Sequence, residues 1–172
     1  REVLNNHAVA LTQQALLGLD DEQVRFAYPI ELDLETRITT NKRGAAAPEL
    51  LLARARQRLM QATWVDPAYA TSWLNLACVQ SLLGELDDAQ FYARKALTLA
   101  SSQGKKSTAA NAKVAIGIIA ALQGDNKAAQ QWWKEANKMG ASLAEINMTL
   151  LKEGLDEFPV STNPSTGPPS IP

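Results

Sequence analysis

Side chains able to do nucleophilic, acid–base or metal chemistry are few in this chain, and they do not gather. His7 is the only histidine and Cys78 the only cysteine. Cys78 has no histidine or acidic neighbour at helical spacing to stabilise its thiolate, so it reads as core or groove lining. His7 stands alone and reads as a part-buried structural histidine rather than a ligand. There is no glycine-rich phosphate loop, no paired metal-ligand motif and no nucleophile with a base, so no catalytic residue, metal site or cofactor is expected, and no enzymatic activity. The Trp132-Trp133 pair invites a stacking-platform reading, but the expectation is one ring packed inside and the other on the surface. Lys105, Lys106, Lys113, Lys127, Lys134 and Lys138 read as a solvated basic face, with an acidic partner surface as the alternative.

Composition narrows the classes further. The 172 residues are 46% hydrophobic, enough for a buried core. Charge nearly cancels, 17 basic against 18 acidic, which lacks the net basic footprint of a nucleic-acid binder. No apolar run approaches the roughly 20 residues of a membrane span. A lone cysteine cannot form an internal disulfide, which leaves the redox compartment, and hence the localisation, undecided. The chain opens at Arg1 and not at a methionine, and reads as a piece of a longer or processed protein.

The elements are legible from apolar spacing and punctuation. Leu4, Ala8, Leu11 and Leu16 predict a helix over about 2–17. From 18 to 47 the pattern breaks: Val24, Phe26, Tyr28, Leu32 and Leu34 alternate with polar residues, and Pro29 interrupts. That stretch predicts two short extended segments or an ordered loop, too long for a plain connector. Helical spacing resumes at Pro48 and runs to about Trp64. Asp66-Pro67 predicts the next start, running to Leu83. Further helices are expected from the Gly84–Asp87 turn to Ser101, from a Ser107 cap to Gln123, and from Gly124-Asp125 to Met139. Ser142 and Glu145 predict a capping-box start for a last helix. Residues 155–172, rich in proline and serine, predict a disordered tail.

Residues 72–100 lie over residues 112–140 at a shift of 40. Leu76/Ile116, Ala77/Gly117, Gly84/Gly124, Ala89/Ala129 and Ala96/Ala136 coincide, which makes an internal repeat. Small residues at Ala77, Ala89, Ala96, Gly117, Ala129 and Ala136 let helices approach closely, and Trp73, Leu76, Ile116 and Trp133 fill the gaps between pairs.

On these residues the chain resembles the tetratricopeptide repeat family, whose unit carries W-x2-L-G-x2-Y in its first helix and A-x3-F then P around its second. Trp73, Leu76, Ala77 and Ala89 fit one copy, and Ile116, Gly117, Ala129 and Trp133 the next. Gln80, Ala93, Ser101 and Lys113 depart from the pattern. Six extra residues around 104–109 account for a shift of 40 in place of 34. Ala55, Leu59, Ala62 and Pro67 fit a second helix, and Leu4, His7, Ala8 and Leu11 a first, so the leading repeat is split by an insertion. The resemblance implies an all-α solenoid of about three helix pairs over 1–154. Its parts are a split first repeat (1–18 and 47–66), an insertion (19–46), a second repeat (67–103), a third (107–140) and a capping helix (141–154).

The resemblance also implies a concave wall lined by Asn5, Asn6, Val9 and Gln13, then Thr71, Leu74, Asn75, Cys78 and Leu82, then Asn111, Val114, Ile118 and Leu122. Some family members grip a C-terminal carboxylate there with lysine, arginine and asparagine. This wall keeps Asn75 but has no lysine or arginine, so that capture is not expected. Two occupants are open for an apolar, amide-dotted groove: a helix or peptide of a partner, or the chain's own insertion through Phe26, Tyr28 and Ile30. The function expected is a protein–protein interaction or scaffold module. An accessory docking or substrate-positioning domain of a larger enzyme, and a self-associating module forming a homo-oligomer, are the alternatives. Partners are protein or peptide, without nucleic acid or membrane insertion.

Overall fold

Glycine in the left-handed region sets the rhythm of this chain. Gly84, Gly104 and Gly124, twenty residues apart, have φ of 81°, 68° and 86°. After each, an amide reaches back to close the preceding helix: Glu85 to the Gln80 carbonyl, Lys105 to Ala100 and Asp125 to Ala120, each at 2.9 Å. These are Schellman closures, which need a positive φ that a side chain resists.

The computed structural model describes residues 1–32 and 46–157. Among them the chain is all helical, with seven helices and no strand. They are α1 (Glu2–Leu16), α2 (Pro48–Val65), α3 (Ala70–Leu82), α4 (Leu86–Ser102), α5 (Lys106–Leu122), α6 (Asn126–Lys138) and α7 (Ser142–Glu157). Each packs on the next in sequence; α1 also meets α3, α3 meets α5 and α5 meets α7, with no other helix pair in contact among the described residues.

Several boundaries differ from expectation for identifiable reasons. Asp66-Pro67 does not open α3. Asp66 closes α2, its Oδ1 accepts from the Ala68 amide at 3.2 Å, and Trp73 Nε1 donates to the Pro67 carbonyl at 2.9 Å. The proline is thus held in a turn, and α3 starts at Ala70. Ser107 is not a cap, because α5 already begins at Lys106. Nor do the extra residues near 104–109 form a loop. Only a tight turn separates α4 and α5, each of 17 residues against 13 in α3 and α6, so the surplus lengthens both helices by about one turn. The helix α7 extends through Glu157, so Leu155 and Asp156 are helical and not tail. The remaining tail residues, and 33–45 of the insertion with Leu34, lie outside the described residues. Residues 18–32 take the ordered-loop form.

The helix crossings are built from small side chains. Ala77, Ala89, Ala96, Ala129 and Ala136 have no measurable exposure. A Cβ placed on Gly117 would sit 2.3 Å from Trp133 Nε1, so the indole lies directly on that backbone. Trp133 is fully buried while Trp132 is half-buried, beside Arg94 and Lys113. His7, in contrast, is exposed and not part-buried. The inner face of α1 is Asn5, Asn6, Ala8, Val9, Thr12 and Ala15, and His7 falls outside that stripe.

Candidate functional site: a groove filled by residues 26–31

Along one side of the chain, α1, α3, α5 and α7 each present a polar side chain to the same six-residue segment. Its sequence, Phe26-Ala-Tyr-Pro-Ile-Glu31, has proline at the fourth place, which disfavours helix at Tyr28, and the Ile30 amide donates back to the Tyr28 carbonyl at 3.0 Å in a tight turn about Pro29. The apolar members sink between the helices. Phe26 is buried against Trp133, ring centroids 5.6 Å apart and tilted by 52°. The Trp133 ring is itself fixed by Nε1 donating to the Val114 carbonyl at 3.1 Å. Tyr28 packs against the clusters containing Val114 and Ile118 on one side and Leu74 and Cys78 on the other; Ile30 joins the latter.

Backbone recognition comes from two asparagines. Asn147 Nδ2 donates to the Ala27 carbonyl at 3.0 Å, and its Oδ1 accepts from the Ala27 amide at 2.7 Å. Four residues on, Asn75 repeats the pattern on Glu31, donating to its carbonyl at 2.7 Å and accepting from its amide at 2.8 Å. Asn75 Nδ2 also reaches Asn5 Oδ1 at 3.0 Å, while Asn5 Nδ2 approaches the Glu31 carbonyl at 3.4 Å. A side-chain amide offers one donor and one acceptor edge, matching the N–H and C=O of a single extended residue. These contacts identify no side chain on the bound segment; they read its backbone.

The Glu31 carboxylate has its own receptor. Its Oε2 accepts from the Thr71 and Thr108 hydroxyls, both at 3.1 Å, and its Oε1 from Asn111 Nδ2 at 2.8 Å. Thr71 and Thr108 stand in the first turns of α3 and α5. The positive ends of two helix dipoles therefore face the charge where a lysine or arginine would otherwise stand. Burial pushes the Tyr28 phenol up to about 12, against a 3.2 Å hydrogen bond with Ser81 Oγ that acts in the opposite sense. Burial, with the Glu31 charge adding to it, also raises the Cys78 thiol well above its ordinary value, which suits an inert lining residue.

Of the wall positions expected from sequence, Asn5, Asn6, Val9, Thr71, Leu74, Asn75, Cys78, Val114 and Ile118 are buried. Asn111, Leu82 and Leu122 are half-buried, and Gln13 is exposed. Between the two occupants left open by the sequence, the described structure holds the chain's own segment through Phe26, Tyr28 and Ile30.

Four contributors were missed: Glu31, Ser81, Thr108 and Asn147. Asn147 carried a signal, since with Ala144 and Leu151 it falls on the buried stripe of α7, where an amide is out of place. Glu31 and Thr108 carried none, because their meeting depends on how far α5 stands from α3.

A separate cleft of about 740 Å³ opens against α1 and α2, lined in part by Leu4, Met60, Trp64 and Val65. Among the described residues, no group of three or more histidine, cysteine, aspartate or glutamate side chains could hold a metal ion, and no helix is long and apolar enough to cross a membrane. The chain matches no family model, and no curated protein is significantly similar to it.

Proposed function

We propose that this domain is a protein–protein interaction module of the tetratricopeptide-like kind, three helix pairs and a capping helix, whose concave side grips extended polypeptide. The observation that carries this reading is the paired use of Asn75 and Asn147 on the backbones of Glu31 and Ala27. Serial helix packing supports the solenoid part of it, because each pair leaves an apolar face that only the next pair covers. Amide pairs that read N–H and C=O suit any chain held extended, and the apolar recesses between them select its side chains. No chemistry is assigned to the groove.

The resident segment sets the threshold for a partner. A tethered peptide competes at an effective concentration on the order of millimolar, so an outside segment binds by displacing residues 26–31. The test is reconstitution in two pieces. Phe26→Ala/Tyr28→Ala/Glu31→Ala empties the groove of its anchors without cutting the chain. A synthetic peptide of residues 22–32 then raises the melting temperature of this variant saturably, while a scrambled peptide does not. Equal effects of the two peptides, or none from either, would remove the groove reading.

A further inference from the structure

We infer that the groove selects its segment by one side chain, an internal glutamate at the place of Glu31, so that a partner fitting this surface is an extended polypeptide carrying such a residue. This rests on the groove reading above and narrows it.

The subsite is built for a carboxylate. Asn111 Nδ2 and the hydroxyls of Thr71 and Thr108 converge on its two oxygens, at 2.8, 3.1 and 3.1 Å. Both hydroxyls stand in first helical turns, so the donors are backed by two dipoles of the same sign. Hydrogen bonds to an ionised acceptor are about twice as strong as neutral ones. Glutamine has the right length and the hydroxyls can turn to accept from it, but it forfeits the charge and meets the dipoles with the wrong end. Aspartate keeps the charge and is one methylene short, because Asn75 fixes the backbone of the same residue at both its N–H and its C=O. The chain continues beyond this residue to Leu32, which is exposed. The carboxylate read here is thus a side chain, on a non-helical segment that passes through the site.

The inference is tested on the variant Phe26→Ala/Tyr28→Ala/Glu31→Ala by calorimetric titration with peptides of residues 22–32. Three of them carry Glu, Gln or Asp at position 31; a fourth stops at residue 30 with a free terminal carboxylate. The glutamate peptide is expected to bind about ten-fold more tightly than each of the others. Equal affinities for Glu and Gln overturn the inference and leave the groove reading standing. A tight complex with the truncated peptide moves recognition to a chain terminus and also overturns it. Binding by none of the four removes both. Should the triple variant not fold, Glu31→Gln and Glu31→Asp in the otherwise intact chain carry the test. Exchange of the residue-31 amide is expected to quicken about ten-fold in each, and unchanged protection overturns the inference.

Discussion

The helix crossings and the groove are held together by opposite means. Between α3, α4 and α5 the contact is mainly apolar: Ala77, Ala89, Ala93, Ala96, Ala112 and Ala115 close on Ile116 and Ile119, and Gln80 donating to Asp88 at 3.3 Å is a polar contact at its margin. In the groove, a few ångströms from Leu74, amides and hydroxyls meet a peptide backbone and a carboxylate. Apolar contact tolerates any sequence of the right volume, and it sets how far apart the helices stand. Polar pairing tolerates only the right partner, so it sets which segment lies there and in which register. The lesson is a division of labour: apolar seams shape the trough, and amides decide its content.

Substitutions can break or sharpen that contrast. Trp133 belongs to both regions, lying on Gly117 and meeting the Phe26 ring at a tilt. Trp133→Ala should therefore cost the most, about 4 kcal/mol in denaturant unfolding. A loss under about 1 kcal/mol would mean that the seam closes without it. Asn75→Ala comes next, at about 3 kcal/mol, because it strands the amide of Glu31 and the Asn5 side-chain oxygen and leaves the Glu31 carbonyl only the 3.4 Å contact from Asn5. Its signature differs from that of a seam variant: amides of 26–31 should lose hydrogen-exchange protection before those of α3–α6. Simultaneous loss everywhere would erase the distinction between the two regions.

Gly117→Ala acts from the seam side. The added Cβ meets the Trp133 ring, and overpacking of this kind costs about 2 kcal/mol, read as a lower melting temperature. Exchange protection of residues 26–31 should fall together with that of the helices. Smallest at neutral pH is Tyr28→Phe, which removes the bond to Ser81 for about 1 kcal/mol. Its use is at high pH. Tyr28 ionises at about 12 when folded and near 10 when unfolded, so the unfolded chain gives up its proton first. Stability due to the neutral phenol is complete below pH 10 and lost as pH rises towards 12. Tyr28→Phe should flatten that decline relative to the native chain; parallel curves would place the phenol outside the groove.

Much of the seam was legible because it is periodic. Alanines at 77, 89, 96, 129 and 136 recur where neighbouring helices cross, and glycines at 84, 104 and 124 end helices by a conformation few other residues adopt. The groove was legible in outline. Asn75 was marked by the wall position that the family resemblance implies, and Phe26, Tyr28 and Ile30 by their place in the stretch where helical spacing breaks. Asn147 was overlooked because the last helix read as a polar cap, although its buried stripe contains that amide. The helix start at Asp66-Pro67 misled for a local reason, since a capping side chain also makes a plain turn, as Asp66 does with the Ala68 amide; Ser107 misled because α5 begins one residue earlier and takes it into the first turn.

By itself the sequence determined the helices, their order, the turns between them and the small-residue faces on which they touch, since each follows from contacts within a few turns of one chain. Only the tertiary structure decided what fills the trough. The receptor for Glu31 is assembled from Thr71, Thr108 and Asn111 on two helices, 40 to 80 positions away along the chain. Such a meeting depends on the distance between α3 and α5, which the packed alanines set and no local pattern encodes.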